Sequence, residues 1–387
     1  MIIGIDNISP GLATSCRTLG GMRHFLQGLI TQLPVFAPQH DFVVFTPDWA
    51  DPFEWPSAVN FRVVKCEAVP QTPIGRAIYE QFRLPAEMNR EEITLWLGTC
   101  NTLPLHWTGK SVLILQSFQY FTQPASYSTL RRLYLRAFVP ASLRRAGRVV
   151  TFSQATKEAI VRRLEISPSK VTVIHHALRF SAATLNDHND QSEWELIVRR
   201  VGGAFILSVS AFYPYKNLAR LIEAFAQLKP KFPHKLVFSG SETTIVRQTD
   251  LRQIARRLGV EEDVVFVGRI SDEELPAFYR QAAVLAMPSL DETFGFPVLE
   301  AMAFGCPVVT SNLGSMKEIA GGAALLVDPL HVDSIAGGLQ RVISDAMLRD
   351  AMTEAGRVHS RLFTYQRFFN ELMLVFGSVD RNGGQNC

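Results

Sequence analysis

Asp291–Thr310 reads DETFGFPVLEAMAFGCPVVT, a loop, a helix and a buried strand in succession. An apolar run ends at Met287, Pro288 and Ser289 turn the chain, and Pro297 suits the first position of a helix. The helix is expected over Pro297–Ala303 and the next strand over Pro307–Thr310. Glu292 and Gly295 then fall in the loop, while Glu300 sits on the first helical turns. Free N–H groups at such a loop and helix start favour anionic oxygens, and two carboxylates nearby can accept hydrogen bonds from vicinal sugar hydroxyls. The plainer reading makes Glu300 a complement to the helix dipole and Glu292 a surface acid. Spacing alone leaves both open.

Outward from this segment the same alternation continues in both directions. Downstream of residue 203, strands are expected at Phe205–Val209, Lys235–Phe238, Val264–Val267, Ala283–Met287, Pro307–Thr310 and Ala323–Leu326. Helices are expected at Leu218–Leu228, Leu251–Leu258, Asp272–Ala282 and Val332–Ala346, the third opened by a capping-box spacing from Ser271 to Glu274. In the first half, strands are expected at Met1–Ile5, Phe42–Phe45, Phe61–Val64, Ile93–Leu97, Val112–Leu115, Val149–Phe152 and Val171–Ile174. Helical periodicity runs from Phe25 through Leu33 and over Gly75–Phe82 and Thr156–Leu164. Short continuous apolar runs suit parallel strands buried on both faces, so the fold class is α/β with doubly wound parallel sheets.

With 387 residues, two domains are the expectation. Residues 1–179 form the first and 203–361 the second. The polar text of 180–202 is the connection, with a helix around Trp194–Val201, and a C-terminal helix in 362–387 packs back on the first domain. Two Rossmann-like domains facing a cleft would place a donor on one sheet and an acceptor on the other, since such sheets bind ligands at the carboxyl ends of their strands.

Composition narrows the class. Hydrophobic residues make up 47% and the net charge is only +3, which argues against disorder. Five scattered cysteines without paired spacing suggest reduced thiols rather than a disulfide framework or zinc site. The N-terminal text has no signal-peptide pattern, and no apolar run approaches the ~20 residues of a membrane helix, so a cytoplasmic protein, peripheral on the membrane's inner face at most, is expected. From Ile93 to Lys157 there are eight Lys or Arg residues and no Asp or Glu. Within it, Thr129–Arg148 interleaves Arg131, Arg132, Arg136, Arg144, Arg145 and Arg148 with Leu130, Leu133, Leu135, Phe138 and Leu143. Pro140 is expected to split this stretch into two short helices. It is either an ordinary solvated surface or a face for an anionic membrane.

The segment Asp291–Thr310 also resembles the signature of retaining GT-B glycosyltransferases of family four, whose hallmark is two glutamates separated by seven residues. The likeness extends to Glu318–Pro329 (EIAGGAALLVDP), Val264–Ala282, Ser208–Phe225 and Val149–Ile160. It implies that Glu292 lies at the donor sugar and reacting centre and that Glu300 holds the ribose hydroxyls. Phe294, Gly295 and Phe296 would offer backbone N–H groups. Lys216 would neutralise the donor pyrophosphate, Val267 and Gly268 would cradle the base, and Gly314 and Ser315 would lie near the phosphates. Gly20 and Gly21 resemble a glycine pair that lets the donor phosphates approach the backbone. The implied partners are a nucleotide-sugar donor and a saccharide or polyprenyl-diphosphate-linked acceptor, with no nucleic acid. No metal or other cofactor is required. Within the family, the text most resembles bacterial mannosyl- and related hexosyltransferases of surface-polysaccharide and O-antigen assembly, with GDP-mannose the first expectation and a UDP-hexose the second.

Two departures qualify the likeness. Ala211 stands where the family usually has an arginine, so a second cation on the diphosphate must come from elsewhere, with Arg23 and Arg269 the candidates. Gln116 stands where many members carry a histidine, and a glutamine can hydrogen-bond a sugar hydroxyl but cannot act as an acid. His175 and His176 are read as structural or as cleft contacts, and His24 is within range of a phosphate. The alternatives on the same fold are a sugar-nucleotide epimerase and a non-catalytic nucleotide-sugar-binding protein. A hydride-transfer enzyme is disfavoured because no GxGxxG follows the first strand.

Overall fold

Thirteen short runs of aliphatic and aromatic residues become strands, every one paired in parallel, in a computed structural model that describes residues 1–8, 20–50, 54–186, 190–243 and 247–382. In chain order they are β1 (Ile2–Asp6), β2 (Asp41–Pro47), β3 (Phe61–Cys66), β4 (Leu95–Gly98), β5 (Lys110–Ile114), β6 (Arg148–Thr151) and β7 (Val171–Val173). Then come β8 (Phe205–Val209), β9 (Lys235–Ser239), β10 (Val264–Gly268), β11 (Val284–Met287), β12 (Val308–Ser311) and β13 (Leu325–Val327). The first seven form a sheet in the order β3-β2-β1-β4-β5-β6-β7, and the other six a sheet in the order β10-β9-β8-β11-β12-β13. The two sheets belong to separate compact units, residues 1–121, 127–179 and 364–387 in one, and 122–126 and 180–363 in the other.

Each sheet reverses its winding once. β1 lies between β2 and β4, and β8 lies between β9 and β11, so each sheet has a topological switch point at the carboxyl ends of those strands. Loops diverge there to opposite faces and leave a crevice, the usual ligand position in open α/β sheets.

The inner strands of both sheets are buried on their two faces, which is why they are continuously apolar. In the first unit Val43, Phe45, Trp96, Leu113 and Val149 are fully buried, and in the second Ile206, Leu236, Phe238, Val284 and Val309 play the same part. The helix Leu218–Leu228 shows how the cover forms, with Leu218, Leu221, Ile222, Phe225 and Leu228 buried at helical spacing. The helix Tyr365–Asn382 belongs to the first unit: Phe369 stacks on Phe36 at 5.0 Å and Phe368 meets Phe25 edge-on at 5.9 Å. The close approach depends on Gly28, where a Cβ would fall 2.2 Å from the Tyr365 hydroxyl oxygen.

Several local expectations need correction. Thr129–Arg145 is one continuous helix, although it contains Pro140. Proline inside a helix removes a hydrogen bond at a cost of about 3 kcal/mol. Here Leu135, Val139, Pro140 and Leu143 are all buried, and packing that face outweighs the loss. The third predicted helix of the second half begins at Leu275, not Asp272. The Glu274 N–H does donate to Ser271 Oγ at 3.2 Å, but the Glu274 carboxylate pairs with Arg200 at 2.7 Å and does not close the box. Residues 180–202 carry the helices Ala182–Asn186 and Asp190–Arg200, the second overlapping the helix expected around Trp194–Val201. Cys66, Cys100 and Cys306 are buried free thiols, and burial pushes Cys306 up to about 12. Cys16 and Cys387 lie outside the described residues. Among the described residues no helix is long and apolar enough to cross a membrane.

Candidate active site

The second unit's switch point is built from two loops, one after β8 and one after β11. The chain leaves β8, passes Ser210 and Ala211, and makes a short 3-10 turn over Pro214–Lys216. Asn217 follows in a left-handed conformation at φ 62°, which Asn tolerates better than most residues, and opens the helix Leu218–Leu228. Its buried side-chain amide donates to the carbonyls of Pro288 (3.0 Å) and Pro329 (2.7 Å), while its oxygen accepts from Arg220 (3.0 Å). One residue thus fastens the loop after β8 to those after β11 and β13. A backbone bond from Leu290 N–H to the Tyr215 carbonyl (2.7 Å) closes the same seam.

After β11 the chain turns at Pro288 and Ser289 and reaches the helix Phe296–Ala303 through Gly295, at φ 116°. Pro297 lies in the first helical turn, where its missing N–H costs nothing. These two loops bring Lys216 Nζ into an ion pair with Glu292 Oε1, with the side chains only 14% and 10% exposed. Ser289 Oγ donates to the same Oε1 at 3.0 Å, and Ser315 Oγ donates to the Glu292 backbone carbonyl at 2.7 Å. The Lys216 ammonium also lies 5.4 Å from the Tyr215 ring centroid, and Tyr213 stacks on Tyr215. Pairs this buried give little net stability, because desolvation offsets attraction. Held by the Ser289 hydroxyl on one side and the Tyr215 ring on the other, this pair is a preformed charge site.

Glu300 lies one helical segment away. It is 5% exposed, and its Oε2 accepts from the buried Tyr279 hydroxyl at 2.8 Å. Phe294 is buried and meets Phe296 edge-on at 5.2 Å. Gly314 and Ser315 open the helix Gly314–Ala320, and the Ser315 hydroxyl is committed to Glu292 rather than turned outward. Val267 and Gly268 end β10, where the Val267 carbonyl accepts from Arg200 at 3.0 Å and Gly268 is exposed at φ 70°. Arg269, next in the chain, is exposed. Among the described residues no group of three His, Cys, Asp or Glu side chains is placed to hold a metal.

The remaining candidates lie in the first unit. Gly20 and Gly21 are the first residues of the helix Gly20–Phe36, which also carries Arg23 and His24. His24 Nε2 lies 3.4 Å from Arg179. Gln116 follows β5, and its backbone N–H donates to Asn101 Oδ1 at 2.8 Å. His176 is a core residue, stacked 3.4 Å from the Phe152 ring centroid, and burial holds its pKa well below the usual histidine range. His175 is half-buried beside it. Sequence reading misses Asn217, Ser289 and Tyr279. The only advance signal is Asn after a Lys at a helix start, which marks a left-handed cap as readily as a site.

The second unit thus carries an ion pair at its switch point and a buried carboxylate on the adjoining helix, and each of the two units is a doubly wound α/β sheet. Comparison with known proteins agrees. The model for Glycosyl transferases group 1 matches residues 195–359, and the model for Glycosyltransferase Family 4 matches residues 19–179. The chain belongs to the family-four glycosyltransferases and has the GT-B fold. It is 27% identical over 269 residues to the O-antigen chain mannosyltransferase B of Escherichia coli, covering 67% of this chain and 68% of that one. In fold it is similar to a sucrose-phosphate synthase of Thermosynechococcus elongatus, with a TM-score of 0.77 at 21% identity over 98% of this chain and 99% of that one. It is similar also to Anabaena HepE, solved in complex with UDP and glucose, with a TM-score of 0.74 at 19% identity over 98% and 100%.

Glu300→Ala is expected to weaken binding of nucleoside diphosphates about tenfold or more, the scale of hydrogen bonds to a charged acceptor. Tyr279→Phe, which removes one hydrogen bond to that carboxylate, should cost less. Titration calorimetry with GDP and UDP checks this, and unchanged affinity in Glu300→Ala would remove that residue from the donor site.

Proposed function

We propose that the chain is a retaining hexosyltransferase that moves mannose from GDP-mannose to a saccharide or polyprenyl-diphosphate-linked acceptor in O-antigen-type polysaccharide assembly. The observation that carries this reading is the Lys216–Glu292 pair at the switch point of the second sheet. The similarity to an O-antigen mannosyltransferase supports mannose, and the UDP and glucose in the HepE complex make a UDP-hexose the next donor to test.

In this reading a donor diphosphate takes Lys216 as its counter-ion, and N–H groups around Phe294, Gly295 and Phe296 assist it. Glu292, released from the lysine, faces the sugar. The bond between the anomeric carbon and the phosphate oxygen breaks while the acceptor oxygen bonds to that carbon on the same face. The acceptor proton passes to the departing diphosphate. The protein supplies position and charge stabilisation rather than a general acid. The reading requires no metal if Lys216, the loop N–H groups and the second cation that Ala211 leaves to be supplied elsewhere share the diphosphate charge.

Peripheral membrane contact belongs to the same proposal. Leu130 and Leu133 are 64% and 60% exposed on the helix Thr129–Arg145, beside the exposed Arg131 and Arg136. Each such cation contributes about 1 kcal/mol near an anionic surface. Sedimentation should therefore show binding to anionic vesicles that fades with salt, and equal binding to neutral vesicles would leave the helix as scaffold.

A panel of GDP- and UDP-sugars tests the main claim. GDP-mannose should be hydrolysed fastest, and Glu292→Gln should cut turnover about 10²–10³-fold while nucleotide affinity stays nearly intact. Nucleotide binding without turnover of any donor would favour a non-catalytic binding protein, and donor epimerisation would favour an epimerase.

A further inference from the structure

The helix Asp190–Arg200 is joined to the helix Leu275–Gln281 by two ion pairs, Arg200 with Glu274 at 2.7 Å and Glu193 with Arg280 at 2.7 Å. The second pair is the more buried, with both side chains 11% exposed. A pair so far out of water contributes little net stability. Its balance is poorer still here, because the buried Glu193 Oε2 has no hydrogen-bond partner among the described residues. Stability does not account for the pair, but its geometry does.

Arg280 carries a flat, rigid fork of donors. One nitrogen donates to Glu193 and another to the Thr184 carbonyl at 3.1 Å, so acceptors on two helices fix its plane. The guanidinium then lies 5.0 Å from the centroid of the Phe304 ring. Phe304 is 4% exposed, and its ring stacks on Tyr279 with centroids 5.9 Å apart and 10° between planes. The Tyr279 hydroxyl donates to Glu300 Oε2 at 2.8 Å, and the Phe304 N–H donates to the Glu300 carbonyl at 3.1 Å. Glu300 is thus held twice, at its carboxylate through Tyr279 and at its backbone through Phe304. Both supports converge on the ring that Arg280 covers.

We propose that Glu193 and Arg280 are positioning residues for Glu300, and that the carboxylate they position selects the ribose of a nucleoside diphosphate. This rests on the reading of Glu300 as the acceptor of ribose hydroxyls. The last torsion of a glutamate side chain is intrinsically soft, so the protein must set the carboxylate plane if two vicinal hydroxyls are to meet it. Tyr279 sets that plane, and Tyr279 is held by the ring that Arg280 and Glu193 fix in turn. Neither of the two touches the nucleotide. Loosening the brace costs ribose recognition and spares the phosphate contact at Lys216, which lies on a different loop.

The test is calorimetric binding to the full chain of GDP and UDP against their 2′,3′-dideoxy counterparts. For the nucleotide it prefers, the parent should bind the ribose form about tenfold or more tightly, the scale of hydrogen bonds to a charged acceptor. Glu193→Gln and Arg280→Lys, both close in volume to the parent residues, should each shrink that ratio about threefold or more, through the ribose form alone. Lys216→Ala should weaken both forms alike. Adding Glu193→Gln to Tyr279→Phe should shrink the ratio no further than Tyr279→Phe does, because both act through one contact. The brace is rejected if Glu193→Gln and Arg280→Lys keep the parent ratio, if they weaken both forms equally, or if the losses from Glu193→Gln and Tyr279→Phe add. A fall in melting temperature with an unchanged ratio makes the pair structural and rejects it as well. A ratio kept in these variants but lost in Glu300→Ala leaves the donor reading standing. A parent without any ribose preference removes Glu300 from the ribose and takes the brace with it.

Discussion

The ion pair between Lys216 and Glu292 is the constraint on which the second unit's site depends. Two oppositely charged side chains are taken largely out of water at the point where the β8 and β11 loops diverge. Their mutual attraction roughly repays desolvation and leaves little surplus for stability. The surrounding structure holds them there. Asn217 fixes the lysine's loop to the glutamate's loop through the Pro288 carbonyl and to the loop after β13 through the Pro329 carbonyl, Ser289 orients the carboxylate, and Ser315 anchors the glutamate's backbone. The two charges are therefore held in place by the fold itself.

The first unit shows the same economy of position in another chemistry. Its left-handed Asn101 ties two loops beside a switch point, as the left-handed Asn217 does in the second unit. Around one tie the structure gathers charge, and around the other it gathers hydroxyls. The core beneath each is ordinary packed aliphatic and aromatic material.

The alternation of short apolar runs with amphipathic stretches is readable because strands buried on both faces must be continuously apolar. Phe205–Val209 and Leu218–Leu228 have the boundaries that periodicity implies. Periodicity fails where local rules compete with packing. Pro140 reads as a break, yet burial of its helix face overrides the lost hydrogen bond. Leu84–Arg90 and Ala346–Ser360 escape notice, because so short a helix and one with only three buried residues give a weak apolar stripe. At the site, Glu292, Glu300 and Lys216 stand out through the motif's likeness to a family, not through spacing. The contacts between them are illegible, since Lys216 and Glu292 lie 76 positions apart and meet only through the sheet order. Tyr279 on Glu300 and Asn217 across three loops are hidden for the same reason.

The central claim is that Lys216 serves a diphosphate, and it is tested most directly by comparing nucleoside diphosphates with their bare nucleosides. Dissociation constants of GDP, UDP, guanosine and uridine should be measured by calorimetry for the parent chain and for Lys216→Ala. The account predicts that the diphosphate the parent binds loses about tenfold or more, the scale of a charge-assisted contact, while its nucleoside is unaffected. Equal losses for diphosphate and nucleoside, or no loss for either, would contradict it.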